Sequence, residues 1–350
     1  MNALTLPTPT ADATFRQYAL RRGDGIDRLD LSVHTRRRLA DHEIRVRIRA
    51  VALNYRDLMV ARGEAGAHGR HVIPASDGAG DVIEVGDAVT ALRVGDRVIS
   101  TFFPDWAAGP VTDASAARAL GGTMDGVLAE EVVLPASAWV PMPAHLDYIE
   151  AATLTCAGVT AWHGLFGLDP LPPGGTVALL GTGGVSIWAL QLAKAAGLRV
   201  ILTSSSDAKL ERARDMGADA TVNYRATPEW GAEIRGLTDG KGVDRVLDSG
   251  GPDTVAKSIE AVRTGGTVAI IGRLTGSAPA QFDPAALFGG AKRLAGLMVG
   301  SRAMTGDLSR FVEDTRLRPV IDRVFPFAHA RDAYRHLAQG RHFGKVVIVG

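Results

Sequence analysis

The chain has 350 residues, 46% of them hydrophobic, and a formal net charge of +1. That length and apolar content allow two domains or one large one, and the near-neutral charge argues against a general nucleic-acid or membrane-surface partner. The single cysteine, Cys156, excludes an intramolecular disulfide and fits a reducing compartment.

The first twelve residues lack the basic start and apolar centre of a signal peptide, and no later run of about 18 apolar residues could span a bilayer, so a cytoplasmic protein is expected. Residues 15–20 read as a strand. Residues 43–53 alternate cleanly, with Ile44, Val46 and Ile48 on one face and Arg45, Arg47 and Arg49 on a face expected to be solvated. Short strands fit 80–85, 97–101 and 127–134, separated by Gly, Pro and Asp. From about Tyr148 the texture turns helical, and after Pro172-Pro173-Gly174-Gly175 strands alternate with helices: 176–180, 199–203, 220–222, 244–247, 267–271 and 295–299. Six such strands predict a doubly wound parallel sheet over 151–300, inserted in a β-rich domain made of 1–150 and 301–350. Helices near 308–314 and 328–338 and a strand at 345–349 close the chain.

The parallel region opens on the stretch around which the chain is organised. A buried strand, 176–180, runs into Gly181-Thr182-Gly183-Gly184-Val185-Ser186 and then into a helix. Gly181 makes the tight turn and Gly183 lets backbone approach a pyrophosphate. The helix that follows turns free N–H groups towards that anion, and Ser186 is small enough to stand in for a third glycine. An NAD site usually carries an acid at the end of the next strand to accept from the ribose hydroxyls. Here Ser204, Ser205 and Ser206 stand there, followed by Asp207 at the cap of the next helix, with Lys209 and Arg212 in its first turns. Hydroxyls with a nearby cation suit a 2′-phosphate, so NADP(H) is the expected cofactor, with Tyr224 and Arg225 placed to close over the same group. A plain helix cap with a solvated lysine is the other reading of these residues. Asp248-Ser249-Gly250-Gly251 ends the fourth parallel strand, and Ile271-Gly272-Arg273 ends the fifth. Ligands bind beyond such strand ends, so these turns are expected to pass the ribose and nicotinamide.

The whole chain resembles the medium-chain dehydrogenase/reductase superfamily. The resemblance is carried by Asn54-Tyr55-Arg56-Asp57 with Gly63, by Gly78-Ala79-Gly80-Asp81-Val82-Ile83-Glu84-Val85-Gly86 with Val94-Gly95-Asp96-Arg97-Val98, by Cys156-Ala157-Gly158-Val159-Thr160-Ala161-Trp162, by the glycine turn, and by Gly344-Lys345-Val346-Val347. It implies a GroES-like β-rich catalytic domain beside a Rossmann domain, and it divides zinc alcohol dehydrogenases from zinc-free reductases. A catalytic zinc needs three N or S ligands. At the family's ligand positions this chain has Asn54, Ser76 beside Asp77, and Cys156, and one cysteine cannot build a four-cysteine structural lobe. His68 and His71, in a glycine-flanked loop, read as exposed side chains. The expectation is therefore no metal and the quinone-oxidoreductase-like branch, with hydride passing between nicotinamide and a quinone or α,β-unsaturated carbonyl compound. A metal-free alcohol or aldehyde dehydrogenase, or a silent NADP(H)-binding or redox-sensing protein, is the alternative.

Without a metal, charge developing on a substrate oxygen needs hydrogen-bond donors. By position in the family's loop the candidates are Asn54, Tyr55 and Arg56, Tyr55 being either a donor or a packed aromatic. Asp57 reads as a helix cap or loop brace. Cys156 reads as a small buried hydrophobe. The resemblance implies that Thr160 approaches the nicotinamide phosphate and that Lys345 either reaches the cofactor cleft or remains a surface charge. Phe102, Phe103 and Trp106 either wall the substrate pocket or anchor their loop. The apolar run 295–299, at a sheet edge, predicts a homodimer by edge pairing.

Overall fold

The computed structural model describes residues 13–64 and 69–350. The first twelve residues and His68 lie outside them. The N-terminal half supplies eight strands: β1 (Thr14–Arg21), β2 (Leu29–Thr35), β3 (Glu43–Leu53), β4 (His71–Val72), β5 (Asp77–Val85), β6 (Arg97–Ser100), β7 (Glu131–Pro135) and β8 (Trp139–Pro141). The alternating strands 9–14 of the parallel region follow: β9 (Thr176–Leu180), β10 (Arg199–Ser204), β11 (Ala220–Asn223), β12 (Val243–Asp248), β13 (Val262–Ile270) and β14 (Arg293–Gly296). The chain ends with β15 (Ile321–Pro326) and β16 (Lys345–Val349).

β9 to β14 form one parallel sheet in the order β11-β10-β9-β12-β13-β14, with the switch point beside β9. A second sheet, β15-β16-β3-β5-β6-β8 with β7 on β3, takes strands from both ends of the sequence, and a small sheet β2-β1-β4 lies apart. The C-terminal strand β16 is antiparallel to β3, pairing Val346 with Leu53. That pairing sets the site, because it carries Lys345 to the end of β3, next to Asn54.

The alternation of β3 holds for its apolar face: Ile44 and Val46 are fully buried and Ile48 nearly so. Its other face is not uniformly solvated as expected. Arg45 is only 2% exposed, because the connection before β3 covers it: its Nε donates to Glu84 at 2.8 Å and its Nη2 to the Arg37 carbonyl at 2.5 Å. Arg47 and Arg49 remain exposed. The last parallel strand also differs from its expected bounds, stopping at Gly296, three residues before Val299 takes a φ of 31° that no strand can continue. It is the edge of the sheet.

The helix Gly184–Ala195 buries Ile187, Trp188, Leu190 and Leu192. It belongs to a core that runs from the parallel sheet (Val177, Leu179, Val200, Leu202) to Ala50, Ala52 and Val347 of the antiparallel one. Apolar packing is thus continuous beneath the cleft between the two sheets, which fixes the groups on either side of it. Among the described residues no helix is long and apolar enough to cross a membrane.

Candidate active site and cofactor cleft

At the switch point, β9 ends and Gly181 turns the chain with a φ of 80°, its N–H donating to the Thr203 carbonyl at 2.9 Å. A side chain would strain that conformation. Gly183 is extended and occupies the cap position of the helix Gly184–Ala195, so the first N–H groups of that helix, at Gly184, Val185 and Ser186, have no partner within it. A Cβ placed on Gly183 would meet only His342 Nε2, 4.0 Å away. The cradle is open in front and closed behind. Ser186 Oγ, buried, donates to the Leu180 carbonyl at 2.7 Å and ties helix to strand. A Cβ on Gly184 would lie 2.7 Å from Lys345 Cδ and 3.2 Å from Ala157 Cβ, so the lysine stem fills the space that glycine leaves. The chain before β16 lies over the turn, with Gly344 N–H donating to the Thr182 carbonyl at 3.1 Å. N–H groups without partners inside the helix, approached by glycine backbone, are the arrangement that receives an anion such as a pyrophosphate at a helix start.

Beyond β10, Ser204 is buried while Ser205 and Ser206 are half-buried. Ser206, not Asp207, takes the cap position. Asp207 is the first residue of the helix Asp207–Asp215, and its carboxylate accepts from Asn223 Nδ2 at 2.7 Å. Tyr224 and Arg225, both exposed, follow β11, and Tyr224 N–H donates to the Ser204 carbonyl at 3.1 Å, so strand pairing brings them beside the serines. Lys209 faces the same region, but its ammonium donates to the His342 carbonyl at 2.9 Å and burial lowers its pKa.

The turns after β12 and β13 touch each other, a Cβ on Gly272 falling 3.0 Å from the Ser249 carbonyl oxygen. Their shape depends on Asp248, fully buried at the end of β12. One oxygen accepts from Gly250 N–H at 2.8 Å, Gly251 N–H at 3.1 Å and Thr254 Oγ1 at 2.7 Å, and the other from Ser258 Oγ at 2.6 Å. Ser249 Oγ reaches the Leu180 carbonyl at 3.2 Å, and Ile271 N–H the Asp248 carbonyl at 2.8 Å. Arg273 is exposed. Thr160, 3% exposed, faces inward from the helix Val159–Phe166.

Across the cleft, β3 ends at Leu53 and the helix Tyr55–Ala61 begins. Asn54 caps it, and Asp57, buried, accepts from Asn54 N–H at 2.7 Å, the bracing role expected of it. Burial pushes the Asp57 carboxyl up to about 7. Tyr55 is half-buried at the start of the helix. Arg56 lies 4.6 Å over the Phe102 ring and donates to the Leu120 carbonyl at 3.0 Å, and burial lowers its pKa.

Lys345 is not the surface charge weighed for it: its stem packs against Gly184 of the glycine turn. It is 2% exposed, and its ammonium donates to the Leu53 carbonyl at 2.7 Å and to Asn54 Oδ1 at 2.5 Å, 3.7 Å from Asp77 Oδ2. Asp77 in turn accepts from Ser76 Oγ at 2.6 Å and from Cys156 N–H at 3.1 Å. An ammonium has donors only, so it fixes which end of the Asn54 amide faces it. Among the described residues Asn54 Nδ2 is left buried and without a partner. This is the region where a zinc would be held, and the donors do not fit one: an ammonium and an amide already bonded to each other, and a Cys156 thiol whose pKa burial raises. Among the described residues no three His, Cys, Asp or Glu side chains come together.

Phe102, Phe103 and Trp106 are buried and cluster with Cys156 and Val299. Trp106 anchors its loop, its Nε1 donating to the Gly109 carbonyl at 3.0 Å, and its ring meets His163 edge-on at 6.1 Å. His163 Nδ1 pairs with the carbonyl of the strained Val299 at 3.0 Å. Ala75, beside Ser76, also has a positive φ, 65°. Backbone strain of this kind persists where the surroundings over-determine it.

Residues 40–144 match the family model of the alcohol dehydrogenase GroES-like domain, and residues 184–314 that of zinc-binding dehydrogenases. A Schizosaccharomyces pombe zinc-type alcohol dehydrogenase-like protein is 41% identical over 312 residues, which cover 87% of this chain and 90% of that protein. The chain belongs to the medium-chain dehydrogenase/reductase superfamily. A solved Sinorhizobium meliloti 1021 structure, described as a candidate alcohol dehydrogenase, superposes with a TM-score of 0.89 at 39% identity, covering 97% of this chain and 99% of that one. A solved NAD-dependent alcohol dehydrogenase superposes with 0.86 at 33% identity, covering 96% and 99%. These matches make the protein a nicotinamide-dependent oxidoreductase of GroES-like plus Rossmann architecture. Sequence reasoning did not bring Lys345, Asn54 and Asp77 together, gave Asp248 no role of its own in the turn it ends, and missed His342. Only Asp248, an acid directly before Ser249-Gly250-Gly251, left a local signal, that of a side chain that braces a turn.

Proposed function

We propose that the protein is a metal-independent, NADP(H)-dependent oxidoreductase that passes hydride between nicotinamide and a quinone or an α,β-unsaturated carbonyl compound. The observation that carries this reading is Asn54 Nδ2: a buried amide donor with no partner, held in one orientation by Lys345, in the region where the superfamily's zinc enzymes hold their metal. The nicotinamide supplies the hydride. Asn54 Nδ2 offers a hydrogen bond to the substrate oxygen on which charge develops, and the Lys345 ammonium behind the amide strengthens that donor. Tyr55 and Arg56 flank it as further donors, and Phe103 and Trp106 form the apolar wall against which the acceptor packs. At the other end of the cleft the glycine turn receives the pyrophosphate, and Ser204 to Ser206, Lys209, Tyr224 and Arg225 receive the 2′-phosphate.

A metal-free alcohol dehydrogenase is the second reading, favoured by the 33% identity to an NAD-dependent alcohol dehydrogenase. Chelator-treated protein, incubated with NADPH and a panel of quinones, enones and aldehydes and followed by loss of nicotinamide absorbance, separates the two. Turnover of quinones or enones without added zinc is the expected result. Turnover only of aldehydes, or only after zinc is restored, overturns the proposal, and binding of NADPH with no turnover makes the protein a silent cofactor binder.

A further inference from the structure

Among the described residues, His342 is the side chain that a Cβ on Gly183 of the glycine turn would meet. Its Nε2 lies 4.0 Å from the point where a Cβ on Gly183 would be, and its Nδ1 is buried with no partner among the described residues. The backbone clamps it there from two sides. Lys209 grips its carbonyl from the helix after β10, and Gly344, two residues on, bonds the Thr182 carbonyl and bridges to Gly183. Phe343 between them is buried under the Arg212 guanidinium, 4.2 Å from the ring centroid. An imidazole locked at this place, with neither nitrogen hydrogen-bonded among the described residues, is built to meet something that arrives at the turn.

We propose that His342 is an anion-contact residue of the dinucleotide site, facing the pyrophosphate beside Gly183 and taking up one proton from solvent when the dinucleotide binds. The proposal rests on the reading of the glycine turn as the pyrophosphate cradle. Before binding the surroundings favour the neutral ring: burial is the largest cause and the Lys209 ammonium the next, which together lower its pKa to about 4. Asp322 on β15 acts in the opposite sense, but it is already engaged by His336 at 2.7 Å and by Phe343 N–H at 2.9 Å. The ammonium of Lys345 and His336 add small contributions that disfavour charge. A pyrophosphate is the missing counter-charge, and its approach reverses the balance.

The test is isothermal titration calorimetry of the whole protein with NADPH and with NADH, near pH 6.5, in two buffers of different ionisation enthalpy, on wild type and His342→Gln. The difference in heat between buffers counts protons directly. The expected result is uptake approaching one proton with both dinucleotides in wild type, an affinity that rises towards about tenfold per unit fall in pH, and loss of both in His342→Gln. That variant is also expected to bind roughly tenfold more weakly near pH 6. Thermal unfolding confirms that it is folded, and the wild-type proton count stands without it. Binding with no buffer-dependent heat overturns the proposal while leaving the cradle intact. Uptake with NADPH alone overturns the pyrophosphate placement, and binding of neither dinucleotide overturns the cradle reading itself.

Discussion

Replacing Lys345 with methionine, which keeps the stem under Gly184 and removes the charge, exposes what the buried ammonium does. Its loss strips a donor from the Leu53 carbonyl and from Asn54 Oδ1, and leaves Asp77, fully buried, without its cation. Breaking a buried pair in this way costs about 3–5 kcal/mol. Asp77 keeps its bonds from Ser76 Oγ and Cys156 N–H, so the lower end applies, and a loss of ~3 kcal/mol lowers Tm by roughly 4 °C in a chain of this size. The released amide no longer holds Nδ2 towards the cleft, and misplacing a donor of this kind lowers kcat by about 10²-fold. Differential scanning calorimetry and steady-state turnover, on Lys345→Met and on Lys345→Met with Asp77→Asn, separate the two effects. The second change removes the stranded charge, so the double variant regains most of the lost Tm but none of the lost kcat. A single variant with unchanged Tm and unchanged kcat refutes the cluster as described.

Three further outcomes follow from the same geometry. Because burial holds the Asp57 carboxyl at about 7, the folded protein keeps a proton that the unfolded chain gives up near pH 4, and stability falls as pH rises between the two values. Asp57→Asn removes that dependence, so its stability relative to wild type climbs from pH 5 to pH 8, by about 3 kcal/mol; parallel pH profiles contradict it. Gly184→Ala places a Cβ 2.7 Å from Lys345 Cδ and costs about 1–3 kcal/mol through overpacking, with weaker NADPH binding in fluorescence titration, whereas wild-type affinity and Tm mean that the stem yields freely. Edge strand β14, with Phe288 78% exposed and Met298 46% exposed close to it in sequence, is proposed to pair with its copy; sedimentation velocity is expected to give a dimer, and Phe288→Glu with Met298→Glu to weaken it, while a monomer at micromolar concentration ends the proposal.

What could be read from the sequence was what local chemistry specifies. The turn from β9 into its helix shows itself because a strand, glycines at fixed places and a helical apolar period occur within twenty residues, and Ser186 does by hydroxyl what a third glycine does by absence. β3 was legible on its apolar face for the same reason. It was not legible on the other, since the burial of Arg45 depends on Glu84 and on the chain before β3, which alternation cannot show. The place of Lys345 rests on a contact with a residue 291 positions away. Nothing near it in sequence distinguishes a buried ammonium from a surface one, and only the pairing of β16 with β3 brings the two together. Asp207 went the other way: Ser206 and Asp207 are both good cap residues, and the Asn223 amide on the neighbouring strand draws Asp207 out of that role.

The central claim, an NADP(H) cleft built on the glycine turn and the serine cluster, is tested most directly by titrating chelator-treated protein with NADPH and NADH, followed by nicotinamide fluorescence and repeated on Lys209→Ala. Tighter binding of NADPH, with the preference lost in the variant, is the predicted result. Equal or tighter binding of NADH reduces the serines to a helix cap, and binding of neither contradicts the account.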